Sequence, residues 1–388
     1  QMQMDEVVVI GYGSVKKTDL TGSVTNVKMS DIKDAPVLSV DQALQGRIAG
    51  ADIMSSTGEP GATTSIRIRG TRSITASNEP LIVVDGVMDA VHDLNDLNMA
   101  DIASISVLKD ASSTAIYGSR GSNGVIIVTT KKGSGTSAKP NITLKADLGF
   151  SQLPRGLDIM DASEFAQYRN DYTYFSTTGD DTDVKDGVPM SKYPYPDPFS
   201  LGEGTDWIKE ITRTAPTQNY ALSISGRDKN TSYYGSFSYN DTRGIVDNSG
   251  MKRFTGMISL DHRFAKWIKV GYKGSYTHRD QDINLASIGG SSPYQGAIYL
   301  SPLISPTDNY NPFYGNGQKI NTPRATIDLN TNNFKRRSMN HTITFDIDIL
   351  PGLKFRSQNS YYTYDREQFR YYPSTLPRKS EGEGGEAY

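Results

Sequence analysis

The stretch Trp267-Ile268-Lys269-Val270-Gly271-Tyr272-Lys273-Gly274-Ser275-Tyr276-Thr277 decides how this chain is read. Ile268, Val270, Tyr272, Gly274 and Tyr276 fall on one face, and Lys269, Lys273, Ser275 and Thr277 on the other. A period of two is a strand, and its length is near the roughly 9–11 residues that cross a bilayer at a tilt. Six further segments are of the same type: Ile142–Phe150, Gln218–Gly226, Thr231–Asp241, Arg253–Phe264, Asn340–Leu350 and Leu353–Tyr364. In Arg253–Phe264, Phe254, Ile258, Leu260 and Phe264 oppose Arg253, Thr255, Ser259 and Asp261. In Asn340–Leu350, His341, Ile343, Phe345, Ile347 and Ile349 oppose Thr342, Thr344, Asp346 and Asp348. One face is apolar with aromatics near its ends, and the other carries charge.

Connection length alternates as well. Arg227–Asn230, Ala265–Lys266 and Pro351-Gly352 are tight turns, whereas Ser151–Thr217, Thr242–Lys252 and His278–Met339 are longer, two of them greatly so. A soluble sandwich has short connections at both ends. Short turns on one side and long loops on the other are the pattern of an outer-membrane β-barrel, whose short turns face the periplasm. Seven strands do not close a bacterial barrel, and an open sheet leaves edges facing lipid. Ser380–Tyr388, rich in Gly and Glu, reads as the interior of an outward loop. The sequence is therefore read as incomplete, the remainder of the same barrel lying elsewhere.

The totals agree. A net charge of -2 implies no attraction to nucleic acid or to a membrane surface. The chain has no Cys, which excludes disulfides and thiol chemistry, and its four His (92, 262, 278, 341) have no metal-ligand spacing. Tyr outnumbers Phe by 23 to 12, as interfacial aromatics of a barrel would. No convergent acid/base set with motif support is present, so no enzyme and no cofactor are expected.

Upstream of the strands the patterning changes. Ser39–Gly46 reads as a capped helix, Ile53-Met54 as an extended piece, and Ser65-Ile66-Arg67-Ile68-Arg69-Gly70 as a strand with a basic face. Pro80–Val87 is a buried strand closed by an Asp-Gly turn, and Ser23–Val27 a weak strand. Asn98–Ile105 reads as a short helix, Ile105–Lys109 as a strand, Asp110–Tyr117 as a helix and Gly124–Thr130 as the last strong strand. This predicts a compact α+β unit with a small mixed sheet. Gly118–Gly124 follows a helix and precedes a strand, the reverse of a dinucleotide fold, and reads as a tight turn. Before the unit stands Asp5-Glu6-Val7-Val8-Val9-Ile10, a β-prone run led by two carboxylates with nothing before it to pair with. Such a run suits strand addition by a partner.

An α/β unit placed before the first barrel strand is the arrangement of a plug. Asp5–Ile10 resembles a TonB box. Ser65–Gly70, Pro80–Gly86 and Ile102–Lys109 followed by Ala115-Ile116-Tyr117-Gly118-Ser119-Arg120-Gly121 resemble the plug of TonB-dependent outer-membrane transporters. Val7–Gly13 and Val107–Val125 are similar to the SusC/RagA-like branch of Bacteroidota, and Lys109-Asp110-Ala111 stands where siderophore transporters usually have Lys-Gly-Pro. The resemblance implies residues 1–13 as tail and TonB box, 14–136 as plug domain, and 137–388 as the N-terminal part of a transmembrane antiparallel β-barrel of about 22 strands with long extracellular loops.

The resemblance also implies TonB-dependent active import of a nutrient, a glycan first and an oligopeptide next. TonB, energised with ExbB and ExbD, would pair with Asp5, Glu6, Val7, Val8, Val9 and Ile10. A SusD-like surface lipoprotein would close the outer side, and lipid or lipopolysaccharide would surround the wall. The chain would sit in the outer membrane with its N-terminus periplasmic. A receptor or adhesin, or a siderophore-type transporter, is the alternative. Arg67, Arg69 and Arg120 are candidates for plug–barrel contacts, with Asp346 and Asp348 as acidic partners for the first two; a solvated strand face is the other role open to Arg67 and Arg69. Tyr294, Tyr299, Tyr310, Asn311 and Tyr314 are candidates for substrate or lid contacts, because aromatic faces with amide donors suit a sugar and suit a peptide nearly as well; packing within the loop is the other role open to these Tyr. Asp180, Asp181, Asp183 and Asp186 read as a solvated acidic loop rather than a Ca²⁺ site.

Overall fold

The computed structural model describes residues 7–10, 13–16, 24–28 and, from residue 39 onward, all except 56, 63, 72, 76, 92, 134–138, 155–156, 179–193, 284–291, 308–321, 374–385 and 388.

Two short strands, β1 (Val7–Ile10) and β2 (Gly13–Lys16), pair antiparallel with each other and, among the described residues, join no larger sheet. The run from Val7 thus has an internal partner, contrary to its reading as an orphan. Four residues of ladder, Val7 opposite Lys16 through Ile10 opposite Gly13, hold it.

The α/β unit follows as β3 (Val24–Lys28), α1 (Val40–Leu44), β4 (Ala51–Ser55), β5 (Thr64–Ile68), β6 (Leu81–Val84), β7 (Val87–Met88), β8 (Ile102–Leu108), α2 (Ala111–Thr114) and β9 (Val125–Thr130). Its main sheet has the order β3-β8-β9-β6-β7, with β6 parallel to β9 and the other pairings antiparallel. β4 and β5 form a separate hairpin. Both faces of the sheet are covered. On one, Val40, Leu44, Ile53, Ile66 and Ile68 pack on Ile102, Ile105, Ile126 and Val128. On the other, Leu81, Val83, Leu108, Val125 and Ile127 pack with Tyr117. This is why β6 and β9 read as unbroken apolar runs.

Two helix expectations are corrected. Asn98 does cap a turn, its side chain accepting from the Ala100 N–H at 3.0 Å, but the 3₁₀ turn lasts only Met99–Asp101. Strand β8 begins at Ile102 because it has partners on both flanks, β3 and β9. The helix expected over Asp110–Tyr117 ends at Thr114 and continues as a 3₁₀ segment through Gly121, broken at Gly118.

All seven expected strands form one antiparallel sheet in sequence order. They are β10 (Asn141–Ser151), β11 (Ala215–Arg227), β12 (Thr231–Arg243), β13 (Gly250–Ala265), β14 (Ile268–Asp282), β15 (Thr331–Leu350) and β16 (Leu353–Tyr372). A two-residue strand, β17 (Glu386–Ala387), adds to β16 at Tyr371 and Tyr372. Ile258, Leu260, Phe264, Ile343 and Phe345 lie exposed on the outer face, while Thr255, Ser259 and Thr342 on the opposite face are buried. β15 and β16 each run 20 residues, well past the alternating segments. The added length, such as Thr331–Met339, is polar on both faces, so hydropathy did not mark it although the backbone ladder continues.

The longer connections converge. Helices α4 (Trp207–Ile211), α5 (Pro293–Tyr299) and α6 (Pro323–Leu329) bury Trp207, Ile211, Ala297, Ile304 and Ile327 together with Val246. The Trp207 indole donates to the Ser301 carbonyl at 3.0 Å, and Arg324 meets Asp247 at 2.7 Å. A longer helix, α3 (Ala162–Thr178), lies earlier in the first of these connections.

Candidate functional site

The α/β unit is held against the inner face of the large sheet through polar side chains. The Asp85-Gly86 turn of the β6–β7 hairpin puts both residues at positive φ, 52° and 85°. That is the conformation a two-residue turn of this hand needs, and it aims the Asp85 carboxylate along β9. Asp85 Oδ1 accepts from the Thr130 N–H at 3.1 Å, and Oδ2 accepts from the Thr130 hydroxyl at 2.6 Å. Lys273 on β14 reaches the same carboxylate at 2.7 Å and donates to Thr130 Oγ1 at 3.1 Å. Gln358 on β16 donates to the Asp85 carbonyl at 3.2 Å.

A second cluster lies further along the same strands. The 3₁₀ turn Leu94–Asp96 is capped by Asp93, whose carboxylate accepts from the Asn95 N–H at 2.9 Å. Arg253 on β13 donates to the Asn95 carbonyl at 2.5 Å, and Thr277 on β14 donates to the Asp96 carbonyl at 2.9 Å. Arg279, with no exposed side-chain surface, stands 3.5 Å from Asp93 and 3.8 Å from Asp96. Arg336 on β15 stands 3.7 Å from Asp93.

Between the clusters the Tyr234 hydroxyl donates to Asp101 at 2.8 Å. Burial pushes the Asp101 carboxyl above its ordinary value, against the Tyr234 hydrogen bond and the Lys131 charge. Where the unit leaves for the sheet, Ser232 donates to the Gly133 carbonyl at 3.2 Å. A Cβ at Gly133 would run into the backbone of Gly226 and Tyr233, so only glycine fits there. The seam is not fully packed. A cavity of about 30 Å³ lies between Asp96, Asn98 and Asp101 on one side and Thr277, Asn340 and Tyr362 on the other, which is room for water among polar groups.

This arrangement holds the unit against the sheet and also allows it to come away. Polar seams exchange protein partners for water at small net cost, whereas an apolar seam would not. Each buried charge nonetheless holds its partner firmly while the seam is closed, because removing one member strands the other.

Residues 16–125 match the family model described as the TonB-dependent Receptor Plug Domain. The chain is 38% identical over 390 residues to TonB-dependent receptor P26 of Formosa agariphila, covering 99% of this chain and 38% of that protein. The chain is thus similar to the N-terminal part of TonB-dependent receptors. Against TonB-dependent receptor SusC of Bacteroides thetaiotaomicron it is 36% identical over 337 residues, covering 82% of this chain and 30% of SusC. The solved RagAB peptide importer in its open-open state superposes with a TM-score of 0.79 at 28% identity, over 97% of this chain and 44% of that one. The likeness is thus to the SusC/RagA-like branch, and the chain spans less than half the length of these relatives. The α/β unit is the plug, and the seven long strands resemble the opening wall of a TonB-dependent barrel.

The polarity of the seam is the reverse of that expected. The ion pairs of Arg69 and Arg120 are made inside the plug, with Asp110 and Asp89. Arg67 lies opposite Asp52 in the β4–β5 hairpin. Asp346 pairs with Arg356 and Asp348 with Lys354, both between β15 and β16. The plug supplies acid and the wall supplies base. A signal for this was present in the sequence: residues 73–108 hold Glu79, Asp85, Asp89, Asp93, Asp96 and Asp101 and no Lys or Arg.

Of the remaining candidates, Val7–Ile10 form β1, and Asp5 and Glu6 lie outside the described residues. Tyr294 packs against the loop core, while Tyr299 is exposed. Tyr310, Asn311 and Tyr314, and the acidic run at Asp180–Asp186, lie outside the described residues.

Proposed function

We propose that this chain is the plug and first wall of an outer-membrane transporter that imports a nutrient by TonB-dependent active transport. The observation that carries the reading is the seam. A folded unit is docked by charge onto the polar face of a sheet whose other face is apolar and exposed, as a stopper in a membrane channel would be. The β1–β2 hairpin stands apart from the plug sheet, so β1 is available for strand addition by periplasmic TonB at the cost of a four-residue ladder. The likeness to RagAB and SusC supports a SusD-like surface lipoprotein as the outer partner, meeting the loop cluster around α4, α5 and α6. Residues 1–13 then serve as coupling segment, 14–136 as plug and 137–388 as wall and outward loops.

The cargo is an oligomer. A glycan fits the Tyr- and Asn-rich outer loop, with exposed Tyr299 as its first aromatic surface. An oligopeptide is the second expectation, supported by the relative described as a peptide importer.

Deleting residues 5–10 from the full-length transporter tests the reading. Uptake by cells should fall to the level of a strain lacking the transporter, while the barrel still reaches the outer membrane folded. Undiminished uptake by the folded deletion protein would refute energised import.

A further inference from the structure

Three plug carboxylates that face the wall, Asp85, Asp93 and Asp96, each meet a wall cation, Lys273 or Arg279. Asp101 differs from them. It is almost wholly buried, and among the described residues it meets no Lys or Arg at ion-pair distance. Its carboxylate accepts from the neutral Tyr234 hydroxyl at 2.8 Å. Its main chain is fixed at both ends, the N–H donating to the Asn98 carbonyl at 3.0 Å and the carbonyl accepting from the Lys131 N–H at 2.7 Å. Tyr234 stands on β12, between β11 and β13, so strands on both flanks enclose the contact.

A buried carboxylate without a cation is costly to keep ionised. It takes up a proton instead, provided that water can bring one. The seam cavity supplies the water: about 30 Å³, lined by Asp101 and Asn98 of the plug and by Thr255, Thr277, Asn340 and Tyr362 of the wall. Nδ2 of Asn98, a buried residue, makes no hydrogen bond within the protein and is left for that water. The titratable groups around Asp101 are few. Tyr234 comes from β12, Lys131 from the segment after β9, Asp96 from the plug turn across the cavity and Tyr362 from β16. β13 and β15 offer the neutral Thr255 and Asn340, and β14 offers Thr277. Lys273, also on β14, is taken up by Asp85 and Thr130.

We infer that Asp101 is a proton-operated latch between plug and wall: with its proton it lets the plug dock, and ionised it loosens the dock. The sign follows from the cost of the buried charge. Undocked, the carboxyl is in water and ionises near its ordinary value, roughly 4. Docked, burial raises that value in spite of Tyr234 and Lys131. Between the two values the undocked form gives up its proton and the docked form keeps it. Docking therefore weakens as pH rises through that window, by up to about tenfold per pH unit, and levels off once the docked carboxyl ionises as well. The latch needs only a docked plug. On the import reading it holds the passage shut more firmly in acid.

The test uses the purified full-length transporter and amide hydrogen exchange of residues 93–101 and 131 between about pH 4.5 and 8. Rates are expressed as protection factors, which divide out the intrinsic effect of pH on exchange. Native protection should fall about tenfold across this range, the size of a one-unit shift. Asp101→Asn keeps an oxygen for the Tyr234 hydroxyl and carries no charge. Its protection should vary less with pH and exceed the native value at the alkaline end. Tyr234→Phe removes the donor that favours the charged form, so its fall should be larger than the native one. The same change made in Asp101→Asn should leave the profile as flat as before. Superimposable native and Asp101→Asn profiles, or a variant less protected than the native protein at the alkaline end, would overturn the inference. If Asp101→Asn does not assemble, the Tyr234→Phe profile decides, and a fall no larger than the native one overturns it. The measurement needs neither cargo nor residues 5–10, so its failure is distinct from failure of the uptake test.

Discussion

At the scale of single residues the seam depends on a few charges from distant parts of the chain. Lys273, partly buried, is one of them: it touches Asp85 and Thr130, and the Asp85 contact depends on the Asp-Gly turn holding its positive φ. Lys273→Met should leave the Asp85 carboxylate without its cation, a loss of about 3–5 kcal/mol for a buried pair broken on one side. Hydrogen exchange in β6 and β9 should speed accordingly, and adding Asp85→Asn should recover part of the loss. Equal exchange in the single variant and the native protein would show that this pair does not hold the plug. Half of this contact was legible in the sequence. Lys273 and Arg253 fall on the polar face by alternation alone, because period two fixes a face. Their partners were not legible, because Asp85, Asp93 and Asp96 reach the wall only once the plug has folded. The basic strand Ser65–Gly70 offered a simpler pairing that the structure satisfies within the plug, through Arg69 and Asp110.

At the scale of elements, strands with one apolar face were plain, and segments polar on both faces were not. Ile268–Thr277 announces itself, whereas the outer half of β15 does so only through its ladder with β14 and β16. The loop cluster was hidden for a different reason. Trp207, Ile211, Ala297 and Ile327 lie in connections separated by whole strands, so no local period links them. Their packing makes a single body of the α4, α5 and α6 connections. Trp207→Ala should remove about 3–5 kcal/mol from that body, as for other large buried aromatics, and the Ser301 carbonyl should lose its indole donor. Limited proteolysis should then cut within 152–214 and 283–330 at protease concentrations that leave the native loops whole. The plug seam touches none of these residues, so exchange in β9 should not change. Parallel loosening of both regions would mean that loops and plug are one cooperative unit.

At the scale of the whole molecule, the order of strands sets the order in which a pull from the N-terminus would act. The β1–β2 hairpin comes first, and a two-stranded ladder is marginal in water. Next in the chain is β3, an edge strand of the plug sheet, which among the described residues pairs with β8 alone. Beyond it β8, β9 and β6 are flanked on both sides and fixed to the wall through Asp85 and Lys273. Force applied at the N-terminus should therefore strip the hairpin and then peel β3 while the centre of the plug stays docked. A staple across β3 and β8 separates the two steps. Asn26 stands opposite Ser106 in that ladder, and these 388 residues contain no native Cys to compete. Asn26→Cys with Ser106→Cys, oxidised in the full-length transporter, should abolish uptake and restore it on reduction if the passage opens only after β3 has left. Either single-Cys variant should transport under both conditions. Full uptake by the stapled protein would place the opening step before β3, in the hairpin and the Asp93–Asp96 turn alone.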